Sequence, residues 1–158
     1  MNRAIVSLGS NIDPDRNMAA ALEALGARTE LEVLATSPVY RTAAVGPPGQ
    51  PDFLNAAVLV ETAMDPTDLR MLMRSIESDM GRRRTGGAFA PRVIDLDVIL
   101  YEGFEGVIAG TRIPDPDIGE RAHLAVPAAD VAPDWEYGAV GTTLRMIADP
   151  LRDRIEAT

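Results

Sequence analysis

Asp95 and Asp97 flank Leu96 in an otherwise apolar run from Val93 to Tyr101. Side chains alternate faces along a strand, so the two carboxylates share one face with about 6–7 Å between their Cα atoms. Ile94, Leu96, Val98 and Leu100 then share the opposite face, the one expected to meet the core. Two like charges so placed repel, and both ionise readily only with something positive between them. Mg2+ suits such a pair, because it is commonly held by one or two carboxylates together with substrate phosphates. The spacing leaves a second reading open, in which both aspartates are solvated or paired with arginines such as Arg92. Just upstream, residues 82–92 carry Arg82, Arg83, Arg84 and Arg92 around a Gly86-Gly87 pair. One or two of these could be charges complementing a helix C-terminus. Cations beside two carboxylates can also close over a polyphosphate, and phosphoryl transfer needs little beyond positioning and charge neutralisation. Together the acids and the arginines favour a nucleotide–metal site. A third cluster, Pro51-Asp52-Phe53-Leu54-Asn55, puts an aromatic ring and an amide on one side of a strand entrance. That pair suits a flat heterocycle, while a core phenylalanine beside a turn asparagine is the plainer alternative. His123, the single histidine, reads first as a surface or satisfied core residue.

The elements that must position these groups follow from periodicity and punctuation. Residues 3–9 read as a strand ending in the turn Gly9-Ser10-Asn11. Asp13-Pro14 starts a helix, with Asp13 as the N-cap candidate and proline at the first helical position, running to about Leu25 with Gly26 as its stop. Leu31 to Ser37 and Leu54 to Glu61 read as strands. Asp65-Pro66 opens a second helix whose Leu69, Leu72, Met73, Ile76 and Met80 form an apolar stripe at helical spacing, ended by Gly81. Val93 to Tyr101 is a further strand. The order strand, helix, strand, strand, helix, strand predicts an α+β, ferredoxin-like βαββαβ fold, an antiparallel sheet with both helices on one face. Beyond it the chain is proline-rich, with short helices expected near 117–125 and 142–148. Residues 43–52 and 82–92 fit no regular element, and loops of that length in a compact domain are usually functional or disordered.

The bulk numbers set limits. At 158 residues the chain reads as one domain, 1–158. It has no cysteine, which removes disulfides, thiolate metal sites and thiol catalysis. A net charge of −9 opposes binding to nucleic acid, where affinity depends on neutralising many phosphates. All 15 basic residues are arginine, so any phosphate gripped by a side-chain cation is gripped by a guanidinium fork. No signal peptide or long apolar run is visible, and the expectation is a cytoplasmic protein, a monomer, without membrane partners.

Several segments carry a family resemblance. Tyr40-Arg41-Thr42, Gly46-Pro47, QPDFLNAAV (Gln50 to Val58), Arg82 and PRVIDLDVILY (Pro91 to Tyr101) resemble the 6-hydroxymethyl-7,8-dihydropterin pyrophosphokinases of folate biosynthesis. The likeness extends in order and spacing from SLGSN (Ser7 to Asn11) to Val131-Ala132-Pro133, and the combined PDFLN and PR-x-x-DLD signatures are highly specific. It implies a ferredoxin-like fold and small-molecule substrates: ATP as co-substrate, and a pterin whose hydroxymethyl oxygen receives diphosphate while AMP is released. It further implies that Asp95 and Asp97 hold two Mg2+ ions, with Asp95 also near the pterin. Arg82 and Arg92 would neutralise charge in the transfer, Arg84 would assist, and Glu77, Val98, Arg112 and Arg121 would belong to the ATP site. Thr42, Asn55 and the backbone of Ala43, Ala44 and Val45 would hydrogen-bond the pterin, and Phe53 and His123 would sandwich its rings. Loops 43–52 and 82–92 match segments that close over substrates in the family.

Some positions depart from the family pattern. His123 stands for a usual phenylalanine, Phe89 for a tryptophan, Ala90 for a glycine, Asp115 for a histidine near the phosphates, and Ala43 and Ala44 for frequent prolines. None removes a metal ligand or a principal arginine, so the expectation is an active enzyme with weakened nucleotide affinity. The alternatives are a non-catalytic ferredoxin-like binding module and a metal-dependent phosphoesterase.

Overall fold

A computed structural model describes residues 1–43, 48–49, 51–81 and 93–158. Its framework is β1 (Asn2–Ser10), α1 (Pro14–Ala27), β2 (Leu31–Thr36), β3 (Tyr40–Thr42), β4 (Phe53–Thr62), α2 (Pro66–Asp79) and β5 (Asp95–Tyr101). A hairpin of β6 (Gly106–Ile108) and β7 (Thr111–Ile113), a 3-10 turn at Pro116–Gly119, α3 (Ala122–Val131), α4 (Leu144–Ala148), a second 3-10 turn at Asp149–Arg154 and β8 (Glu156–Ala157) follow. The main sheet runs β5-β1-β4-β3-β8, with β2 also on β4, and every pairing is antiparallel. Taking β1, β2, β4 and β5 with α1 and α2 gives the ferredoxin-like α+β arrangement.

Alternation in the central strands builds two cores. Ala4, Val6 and Leu8 of β1, with Leu54, Ala56, Val58 and Val60 of β4, face α1 and α2, where they meet Met18, Leu25, Leu69, Met73 and Ile76. Ile5, Ala57 and Leu59 face the other way, against Ala125, Val126, Ala129 and Leu144 of α3 and α4. Both expected helices therefore pack on one face, and the opposite face is covered as well.

Four local readings are corrected, those of the Asp13 cap, the Gly26 stop, the face of Leu100 and the helix near 117–125. The left-handed backbone of Asp13 (φ 41°) leaves its side chain with no capping bond to α1, and the helix passes through Gly26 to Ala27. Asp65 does cap α2, accepting from the Asp68 N–H at 2.8 Å. Pro38, which has no N–H to donate, interrupts the strand that begins at Leu31, and the chain resumes pairing with β4 as β3. Ile5 pairs with Leu100 but Val6 with Val98, a bulge at Ile99 that turns Leu100 to the α3 side, so it does not share a face with Leu96 and Val98. The helix expected near 117–125 is a 3-10 turn followed by α3, which continues to Val131 with Pro127 inside it.

Candidate functional site

The C-terminal end of β1 lies between the starts of β4 and β5, and that junction forms the floor of a cavity. In register, Gly9 pairs with Asn55 on one side and Asp95 on the other, and Ser7 with Ala57 and Asp97. Asn55, Gly9 and Asp95 thus form a row across three strands, with Ala57, Ser7 and Asp97 as the next. At Gly9 an added Cβ would sit 3.4 Å from Asn55 Oδ1 and 3.9 Å from the Phe53 ring, so glycine keeps the middle of the floor low. The first turn of α3 closes the space from above. The resulting cavity of about 300 Å3 is lined by Ser7, Gly9, Thr42, Ala43, Phe53, Asn55, Asp95, Asp97, Arg121 and His123 among others, at the lower end of the size range of small-molecule sites.

Polar geometry within it is defined. Asn55 Nδ2 donates to Thr42 Oγ1 at 2.8 Å, which fixes the amide orientation across the β3–β4 pair. Thr42 keeps its hydroxyl hydrogen for another acceptor. His123 titrates below the ordinary imidazole range because of burial and, secondly, the Arg121 guanidinium, with Asp117 opposing them. Arg121 makes a long 3.8 Å contact to Asp117, between two half-exposed side chains, a kind of pair that adds little.

The acid pair is backed by groups from α2. Arg74 Nη2 donates to Asp97 Oδ1 at 3.0 Å and its Nη1 to Glu77 Oε1 at 2.5 Å. Glu77 Oε2 accepts the Leu96 N–H at 2.7 Å, so the peptide between the two aspartates is itself held. Burial, and next the charge of Asp95, push the Asp97 carboxyl up to about 6, against the opposing effect of Arg74. A cation between the aspartates would remove the repulsive part of that shift. Among the described residues no group of three or more potential metal-ligating side chains converges.

Of the residues expected at the site, Thr42, Ala43, Phe53, Asn55, Asp95, Asp97, Arg121 and His123 meet at this cavity. Three do not line it. Glu77 is only 1 % exposed and acts from behind β5 through Arg74 and Leu96. Val98 is buried in the core under α1 and α2, which leaves only its backbone for a ligand. Arg112 lines a separate cleft beside the β6–β7 hairpin with Glu105, Pro114 and Tyr137. Ala44, Val45, Arg82, Arg84, Phe89, Ala90 and Arg92 lie outside the described residues. Asp115 turns its carboxylate to the Asp117 N–H at 2.8 Å, capping the 3-10 turn, while burial raises its pKa. Sequence reasoning passed over Ser7, Gly9 and Arg74. For Arg74 a signal existed: Glu77 stands next to the apolar stripe of α2, and an arginine three residues earlier can reach it.

Comparison with known proteins places this geometry in context. The family model described as 7,8-dihydro-6-hydroxymethylpterin-pyrophosphokinase (HPPK) matches residues 5–133. A 2-amino-4-hydroxy-6-hydroxymethyldihydropteridine pyrophosphokinase of Methylorubrum extorquens is 42% identical over 146 residues, covering 92% of this chain and 90% of the relative. The protein of the same description from Synechocystis is 37% identical over 142 residues, covering 89% and 72%. The crystal structure of wild-type Plasmodium falciparum HPPK-DHPS superposes with a TM-score of 0.70 at 13% identity, covering 97% of this chain. That likeness concerns the fold, and the chain spans 45% of that solved chain's length.

Proposed function

The chain belongs to the 7,8-dihydro-6-hydroxymethylpterin-pyrophosphokinase family, and on that premise we propose that it transfers diphosphate from ATP to the hydroxymethyl group of 6-hydroxymethyl-7,8-dihydropterin. It is an ATP-dependent diphosphotransferase. In the proposed reaction the pterin hydroxymethyl oxygen bonds to the β-phosphorus of ATP, the bond from that phosphorus to the α–β bridging oxygen breaks, and AMP leaves with that oxygen.

The observation that carries the reading is the meeting, in one cavity, of an oriented amide–hydroxyl pair with two neighbouring carboxylates. Asn55, its amide set by Thr42, reads the polar edge of the pterin, and the free hydroxyl hydrogen of Thr42 adds a donor. Phe53 from the sheet and His123 from α3 supply flat faces toward the ring, and a neutral imidazole stacks without a desolvated charge. Asp95 and Asp97 fit Mg2+, and two such ions bound there with ATP would neutralise phosphate charge during transfer. Arg82, Arg92 and Arg84 are assigned the remaining phosphate oxygens, with Arg121 at the cavity's edge.

The test is incubation with ATP, Mg2+ and the hydroxymethyl dihydropterin, followed by quantitation of AMP and pterin diphosphate. AMP should form one-for-one with pterin diphosphate and only when pterin is present. Asp97→Ala should lower turnover by several orders of magnitude. ATP hydrolysis without pterin, or near-wild-type turnover in that variant, would overturn the assignment.

A further inference from the structure

Arg74 projects from α2 toward β5, the terminal strand of the sheet, and this lets it meet Asp97 although α2 packs on the opposite face. Its guanidinium donates to Asp97 Oδ1 at 3.0 Å and to Glu77 Oε1 at 2.5 Å, with a longer contact to the Leu96 carbonyl at 3.5 Å, and its side chain is 21% exposed. Glu77, nearly fully buried, anchors the assembly to the backbone through the Leu96 N–H. The guanidinium is thus fixed against an oxygen of the carboxylate that a divalent cation would need.

We propose that Arg74 is a positioning residue that occupies Asp97 as an internal counter-cation until substrate arrives, so that the divalent cation enters with the nucleotide and not ahead of it. This rests on the metal role given above to Asp97. A guanidinium and a metal ion on one carboxylate are like charges a few ångströms apart, and each weakens the binding of the other. A charge at such range shifts a proton equilibrium by about 1–3 units, and binding of another cation responds on the same scale. A triphosphate brings negative charge of its own, which offsets the repulsion and admits metal and nucleotide together. Arg74 also keeps Asp97 aimed at the cavity when no metal is there to do so.

The test is titration of nucleotide-free protein with MnCl2, followed by electron paramagnetic resonance of free Mn2+, in wild type, Arg74→Gln, Arg74→Met and Arg74→Lys. Circular dichroism identifies the variants that fold, and either neutral variant suffices. Loss of the charge should raise Mn2+ affinity by about tenfold or more. Arg74→Lys, which keeps the charge, should stay near wild type. With a non-hydrolysable ATP analogue present, the gap between wild type and Arg74→Gln should shrink. Unchanged or weaker Mn2+ binding in the neutral variants, or Arg74→Lys behaving like them, overturns the proposal. Asp97→Asn separates this failure from a deeper one. If it leaves Mn2+ binding by the analogue-loaded protein intact, the metal assignment itself is wrong. If it abolishes that binding while Arg74→Gln has no effect, only the role of Arg74 falls.

Discussion

At the scale of single residues, Asp97 sits in surroundings that disfavour its ionised form. Burial and the neighbouring Asp95 raise its carboxyl to about 6, above the unfolded value near 3.8. A carboxyl raised on folding favours the native state below its unfolded pKa, and that contribution is lost as pH climbs through the folded value. Metal-free protein should therefore lose some stability between about pH 4 and pH 6. Asp97→Asn should flatten that segment of the curve and raise the melting temperature at pH 7, while removing activity; thermal scans at several pH values in EDTA check it. Asn55→Ala makes the opposite kind of change. It strips one hydrogen-bonding group from the cavity and frees Thr42, so KM for the pterin should rise by about tenfold, the worth of one good hydrogen bond, with KM for ATP nearly unchanged. Both residues were legible in the sequence because strand alternation is local: two positions apart means the same face. Arg74 was legible only through its pairing with Glu77 on the same helix; its contact with Asp97, 23 residues away on another element, follows no linear pattern. Gly9 was read as a turn, and its work in the floor appears only once β1 lies between β4 and β5.

At the scale of elements, the junction of α2 with β5 decides whether the acid pair is held. Glu77 joins the helix to the Leu96 peptide and to Arg74. Glu77→Ala would leave a buried N–H without this acceptor and a guanidinium with one partner fewer. Truncating a buried charged partner costs about 3–5 kcal/mol, and partial exposure of Arg74 moves the expectation to about 2–4 kcal/mol. Urea unfolding measures this loss, and Glu77→Gln, which can still accept from Leu96, should lose distinctly less. The apolar stripe of α2 and the β1–α1–β2 beginning were readable from periodicity, and they carried the fold class. What the pattern hid has definite causes. The short β3 beyond Pro38, which carries Thr42 to the cavity, has too few residues to show a strand pattern of its own. The bulge at Ile99 reverses the faces of the residues after it. In α3, an alanine-rich run lacks amphipathic contrast because nearly all of it is buried, and Pro127 argues locally against a helix that tertiary packing nevertheless forms.

At the scale of the whole molecule, the cavity needs its two walls, sheet and α3, to stay in a fixed relation, and a part-buried polar link ties them. The Tyr40 hydroxyl on β3 donates a short hydrogen bond to Asp130 on α3. Asp130 also takes Arg152 at 3.1 Å, and Arg152 reaches Asp149 at 3.3 Å. Strand, helix and the second 3-10 turn are thereby joined close to Thr42. Burial first, and then the hydrogen bond to Asp130, push the Tyr40 hydroxyl up to about 12 from an ordinary 10. A phenol raised on folding supports the native state while it is protonated. That support is complete below pH 10 and is withdrawn as pH rises toward 12. Wild type should accordingly lose stability across this interval, and Tyr40→Phe should lack that part of the loss. At pH 7 the same variant should be less stable by about 1–2 kcal/mol, since Asp130 forfeits a donor but keeps Arg152. Because Tyr40 shares β3 with Thr42 and pairs directly opposite Asn55, loosening the link should also raise KM for the pterin. Equal pterin KM in the two proteins, despite a measured stability loss, would mean that the sheet alone holds the cavity's shape.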